Sequence, residues 1–179
     1  MAVRVVRLVS LPCLLAALLP VAAGAGSPSG GIAVGRTVLL GPRTKTIGCR
    51  LGALPDRSCS PGAFYSRLTR AVVCGRGFHT STVRNVPQTV KFAVEREYGL
   101  AAGYYGRTLE IDHIVPLELG GSNAIANLFP ERVYAAKDRL ENRLHELVCA
   151  GRMTLAAARV GIARNWPLLY RHVFGVAPR

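Results

Sequence analysis

Asp112 and His113 stand side by side near the end of a short apolar run, LEIDHIVPLEL. Neighbours on a regular strand point to opposite faces, so such a pair can divide two tasks. Aspartate offers a hard oxygen ligand of the kind Mg²⁺ or Mn²⁺ takes. Histidine, with a reference pKa of about 6.5, is largely a free base at neutral pH. Metal-assisted phosphodiester cleavage needs both: a cation to neutralise charge on the phosphate and a base to take a proton from the attacking water. Downstream, Asn127 precedes a Leu-Phe-Pro step, and Glu141, Asn142 and His145 lie in a segment with helical periodicity.

The elements that must position these residues can be read around them. From Arg107 to Pro116 the residues alternate. Leu109, Ile111, His113 and Val115 share one face, and Glu110, Asp112 and Ile114 the other, which predicts a strand. Gly120-Gly121-Ser122-Asn123 is turn chemistry, and residues 127–130 read as a short return strand. From about Glu131 to Cys149 the pattern is helical, with Leu140, Leu144, Leu147 and Val148 as its apolar stripe. Taking Leu140 as the origin at about 100° per residue, the stripe centres near about 25°. Glu141 then falls near about 100°, His145 near about 140° and Asn142 near about 200°. Of the candidates Asp138, Glu141, Asn142 and His145, Glu141 and His145, spaced i, i+4, flank the packed face and are the favoured helical ligands, with Asn142 as runner-up. Glu141 also stands four residues after Lys137, the spacing of an ordinary ion pair on a solvated face.

The run LEIDHIVPLELGGSNAIANLFPE resembles the core of the HNH, or ββα-metal, endonucleases. The resemblance implies that His113 is the general base, that Asp112 is the first metal ligand, and that Asn127 holds the loop that orients the base. The segments VRNVPQTVKFAVEREYG and KDRLENRLHELVCAGRMTLAAARVGIARNW are similar to exported, mostly actinobacterial HNH-like proteins. The usual HNH motif continues from the Asn-Leu step into two cysteines and an Asn or His. The matching span here, ERVYAAKD, contains none of these. The Glu141/His145 pair takes the spacing at which colicin-type ββα nucleases share a metal between two helix histidines. One divalent ion is expected: Mg²⁺ or Mn²⁺ from the hard Asp/Glu oxygens, with Zn²⁺ or Ni²⁺ left open by His145.

The 179 residues carry a net charge of +13, and only Lys45, Lys91 and Lys137 of the basic residues are lysines. Such an arginine-rich balance favours polyanions: nucleic acid, an anionic surface or an acidic inhibitor protein. A merely basic protein has the same composition, so charge alone does not choose. Arg107, Arg132, Arg139 and Arg143 are the expected phosphate contacts, which would give affinity without sequence preference.

Residues 1–25 read as a secretory signal: Arg4 and Arg7, an uncharged apolar run from Leu8 to Ala23, and an Ala23-Gly24-Ala25 cleavage pattern. The run is shorter than the ~20 residues a spanning helix needs, so no stable membrane insertion is expected after cleavage. Cys13 lies in no lipobox. Residues 26–43, rich in Gly and Ser at their start, read as a flexible linker. Residues 44–179 read as one domain with its core at 107–150. The expected class is α+β: a small ββα core, additional helices and a loop-rich N-terminal part. Short strands are expected near Ala71–Cys74, a helix from Pro87 to Gly99 with Val90, Val94 and Tyr98 inward, and a further helix capped by Thr154 with Trp166 against the core. Cys49, Cys59, Cys74 and Cys149 remain after signal removal and suggest two disulfides; three connectivities are open, of which Cys49–Cys59, a short local loop, with Cys74–Cys149 is the favoured one. No C-x-x-C pair supports zinc instead.

The sequence therefore predicts a secreted or envelope-associated, metal-dependent endonuclease acting on DNA, with RNA as a second substrate and little sequence specificity. The alternative is a catalytically silent scaffold that binds nucleic acid or an anionic envelope polymer. A disulfide-stapled structural protein is a third reading.

Overall fold

The computed structural model describes Met1 and residues 32–106, 108–132 and 134–178. The chain divides into two units, Met1–Gly30 and Gly31–Arg179. The expected signal lies in the first, outside the described residues. Among the described residues the second mixes α and β: two small two-stranded sheets and four α-helices.

Thr37–Leu39 (β1) pairs antiparallel with Ala63–Tyr65 (β2). The later part of the stretch read as linker is thus a strand, and Ile32 and Val34 before it pack on the core. Arg70–Val73 (α1) is a helical turn, not the expected strand. Its β-branched residues favour a strand locally, but tertiary contacts decide. The Arg70 guanidinium donates to the carbonyls of Val148 (2.8 Å) and Cys149 (2.7 Å) at the end of the long helix; the first also accepts from Gly151 N (3.0 Å), the second has Arg70 as its partner. Gln88–Glu97 (α2) follows Pro87 as expected. Val94 and Tyr98 are buried, and so, unexpectedly, are Glu95 and Glu97. The Tyr98 hydroxyl donates to Ser60 (3.0 Å), and Ser60 donates to the Leu128 carbonyl (2.9 Å).

Glu110–His113 (β3) pairs antiparallel with Leu128–Glu131 (β4), with Asp112 opposite Phe129 and His113 opposite Leu128. The strand is shorter than its alternation suggested, because the chain turns at Pro116 into a 3₁₀ turn, Leu117–Leu119. Two glycines make the next bend possible. Gly120 is left-handed at φ 76°, and a Cβ on Gly121 would lie 1.8 Å from the Val115 carbonyl oxygen. Tyr134–Cys149 (α3) comes next, with Leu140, Leu144 and Val148 fully buried. Leu147 is only half-buried, so the stripe is narrower than expected.

Leu155–Phe174 (α4) begins at Thr154, whose hydroxyl accepts from Ala157 N (3.1 Å). It kinks at Asn165, ahead of Pro167, and the Asn165 side chain accepts from Leu168 N (3.0 Å) to start the second half. Trp166 is buried just after the kink, and the helix continues beyond it. No helix among the described residues is long and apolar enough to cross a membrane.

Both disulfides pair as expected, Cys49–Cys59 and Cys74–Cys149, and suit an oxidising compartment. The second closes a loop of 75 residues and the first a loop of 10. Loop-closure entropy assigns them on the order of 4 and 3 kcal/mol respectively. In urea denaturation, Cys74→Ser/Cys149→Ser should lose more stability than Cys49→Ser/Cys59→Ser; the reverse order would show that chain entropy is not what the longer bridge supplies.

Glu131, at the end of β4, is 2 % exposed, and its Oε2 has no hydrogen-bond partner among the described residues. Burial raises its pKa to about 8 against a partly opposing pull from Lys137. The folded chain therefore holds a proton here that the unfolded chain releases near the ordinary carboxylate value. Stability should fall as pH rises from about 4.5 to about 8, by at most about 1.4 kcal/mol per pH unit. Glu131→Gln should match the parent melting temperature near pH 5 and exceed it near pH 8. Equal differences at both pH values would show that Glu131 does not carry this proton.

Candidate functional site

A cleft of about 330 Å³ opens beside β3, lined by Arg84, Lys91, Tyr105, Glu110 and His113 among others. One wall is the loop after α2. It is held by the buried Glu95 carboxylate, which accepts from Gly103 N (2.8 Å) and Tyr105 N (2.7 Å). Lys91 lies over the Tyr105 ring, 4.9 Å from its centre. Arg84 and Lys91 give the cleft its positive charge.

His113 is 4 % exposed. Its Nε2 lies 3.0 Å from Asn123 Oδ1. The Asn123 amide nitrogen donates to the Val83 carbonyl (2.7 Å) and the Tyr65 hydroxyl (3.2 Å), which fixes Oδ1 as the acceptor facing the ring. Nε2 therefore carries the proton, and Nδ1 keeps its lone pair. Burial pushes the His113 pKa below its usual value, against the opposing effects of Asn123 and Asp112. The ring is neutral at pH 7 and can accept a proton.

Asn127 is fully buried and uses both ends of its amide. Oδ1 accepts from Ala63 N and Val115 N, each at 2.9 Å. Nδ2 donates to Val115 O (2.9 Å) and Ser122 O (2.8 Å). It ties β2 and both ends of the 115–122 loop to the start of β4. Arg159, unforeseen from the sequence, braces the same loop by donating to Leu119 O (2.7 Å) and Leu68 O (2.6 Å), stacked 4.2 Å from the Phe64 ring centre.

The favoured metal ligands are only partly brought together. Asp112 and Glu141 converge, but on the ammonium of Lys137. That group donates to Asp112, to Glu141 (2.6 Å) and to the His113 carbonyl (2.8 Å). The Lys137–Glu141 pair, read from its spacing as a feature of a solvated face, is buried, with Lys137 2 % exposed. Burial alone would lower the Lys137 pKa, but Glu141 and Asp112 outweigh it and hold the group charged. His145 does not join them. Its Nε2 lies 2.9 Å from Val73 O and 3.4 Å from Cys149 Sγ, beside a separate opening lined by His79 and Glu118. Asn142 faces solvent. Asp112, Glu141 and His145 thus do not fit a single divalent ion.

The expected phosphate contacts are also redistributed. Arg107 lies outside the described residues. Arg132 is exposed. Arg139 packs over the Phe174 ring (4.6 Å), and Arg143 pairs with Glu146 (2.8 Å); both leave α3 on the side away from Lys137. Arg84 and Lys91 take that place in the cleft.

Cys74, His145 and Cys149 form a group that could hold a metal ion, their ligand atoms lying within 4.8 Å of one another. Thiolates ligate metals and disulfide sulfurs do not, so this site and the Cys74–Cys149 bridge exclude each other. The chain matches no protein-family model, no curated protein and no solved structure.

Asn127→Ala would strand Ala63 N, the donor and acceptor of Val115 and the Ser122 carbonyl in a buried place, at about 1–3 kcal/mol for each group left unpaired. Urea denaturation should show a loss of several kcal/mol, and Asn127→Asp should also destabilise, since a carboxylate cannot donate to Val115 O and Ser122 O. A loss below about 1 kcal/mol for Asn127→Ala would mean that the loop is held mainly by other groups.

Proposed function

We propose that this protein is an exported phosphodiesterase that cleaves nucleic acid on a ββα unit formed by β3, β4 and α3. The observation that carries the reading is His113, its Nε2 held by Asn123 Oδ1, in the lining of a cleft that Arg84 and Lys91 also line. The net charge of +13 and the resemblance around Asp112-His113 and Asn127 support it.

In this reading Arg84 and Lys91 hold the phosphate and offset its charge. His113 Nδ1 takes a proton from the attacking water and later returns it to solvent; the new P–O bond forms as the bond to the leaving oxygen breaks. The leaving alkoxide takes a proton from solvent. No step is assigned to the expected divalent ion, because Asp112 and Glu141 converge on the Lys137 ammonium and His145 lies elsewhere. Contacts to phosphate alone give little sequence preference, so both DNA and RNA are candidate polymers.

The deep burial of His113 favours a second reading, a scaffold that binds nucleic acid without cutting it. One experiment separates the two. Oxidised protein is incubated with supercoiled plasmid and with single-stranded RNA, in Mg²⁺, in Mn²⁺ and in EDTA, beside His113→Ala. Cleavage of either polymer should appear and fall at least about a hundredfold in His113→Ala. Retention on DNA with no cleavage in any condition would abandon the enzyme for the binding scaffold.

A further inference from the structure

The two carboxylates and the main-chain oxygen at Lys137 are the donor set of a hard-cation site. Asp112 reaches in from β3, Glu141 from α3, and the His113 carbonyl from the end of the strand. Three oxygens around one point are half of the octahedral set that Mg²⁺ takes, water supplying the rest. At that point lies an ammonium on the first turns of the same helix.

Each of its three N–H donors has one oxygen, so the ammonium is saturated. It is also sealed in, since Lys137 is 2 % exposed. A divalent ion entering here would have to displace the ammonium from all three of its oxygens at once. Leaving a lysine buried and unpaired costs far more than a surface ion pair returns.

We propose that Lys137 is a built-in cation: its ammonium takes the seat between Asp112, Glu141 and the His113 carbonyl that a divalent metal would otherwise occupy, so this centre operates without a bound metal ion. The seat rests on the contacts of Lys137 alone; its consequence for cleavage rests also on the phosphodiesterase reading above. The arrangement makes the charge covalent and permanent, and chelators cannot remove it. Because all three donors are spent, Lys137 orders β3 against α3 rather than touching the phosphate. It is a positioning residue.

Mn²⁺ binding to the oxidised full chain, read from the free-ion EPR signal, tests this in four proteins: parent, Asp112→Asn, Lys137→Ala, and Lys137→Ala with Asp112→Asn. Oxidation keeps the Cys74 and Cys149 sulfurs out of the measurement. The parent and Asp112→Asn should bind Mn²⁺ equally weakly. Lys137→Ala should bind one Mn²⁺ at least about tenfold more tightly, and adding Asp112→Asn should abolish the gain. Parent protein that binds one Mn²⁺ in an Asp112-dependent way overturns the proposal, as does a folded Lys137→Ala with no gain. If Lys137→Ala does not fold, the comparison of parent with Asp112→Asn decides alone. Any His113-dependent cleavage should survive EDTA, and its loss on chelation would also overturn the proposal. A protein that cleaves nothing sinks the enzymatic reading, while the Mn²⁺ measurement still reports on the seat.

Discussion

One buried amide organises this domain. The loop that joins β3 to β4 carries backbone groups into the interior, where water cannot satisfy them. Asn127 answers four such groups at once, from Ala63, Val115 and Ser122. No other side chain offers two donors and two acceptors at this length. Through Ala63 it joins the β1–β2 sheet to the loop, and through Val115 it sets where β3 ends. That endpoint fixes His113 and Asp112. Gly121 belongs to the same constraint, because the backbone passes so close to Val115 that a side chain would have no room.

The Lys137 cluster acts on the other side of β3. Buried ion pairs seldom add net stability, since desolvation offsets most of the attraction. Their effect here is geometric. An apolar helix face can slide along a hairpin at little cost, but a helix carrying Lys137 and Glu141 has one position in which both are paired. The cluster therefore specifies the docking of α3, and the Cys74–Cys149 bridge with the Arg70 contacts secures its far end. With only two-stranded sheets, the fold depends on these pins along α3 more than on sheet hydrogen bonding.

The hairpin, α2, α3, the Thr154 cap and both disulfides were legible because each rests on a local signal: alternation, capping chemistry or cysteine pairing. The region of Ala71–Cys74 was misread because its β-branched residues speak only for local preference, while Arg70 and the disulfide act over long range. Lys137 is the instructive miss. On the same helical scale it falls near about 60°, closer to the centre of the apolar stripe than Glu141. That angle was available in the sequence and marks a buried lysine, which must have acidic partners; charge alone assigned it to the surface. The same scale puts Arg139 and Arg143 more than about 100° from Lys137. Arg84 and Lys91 had no such signal, because a loop and a separate helix bring them to the cleft only after folding.

His113 is where the two organising contacts meet. Its carbonyl accepts from Lys137, and its ring donates to Asn123, whose amide is in turn fixed by Val83 and Tyr65. Main chain and ring are thus held by separate groups, one charged and one neutral. A ring held only by packing could turn and exchange the roles of its nitrogens. Here such a turn would break the Asn123 bond in a buried place, where an unpaired group costs about 1–3 kcal/mol. The tautomer is set by the fold before any ligand arrives. In the proposed reaction this preorganisation matters more than basicity, because a base with an ordinary or lowered pKa is effective only when its lone pair already points at the proton it must take.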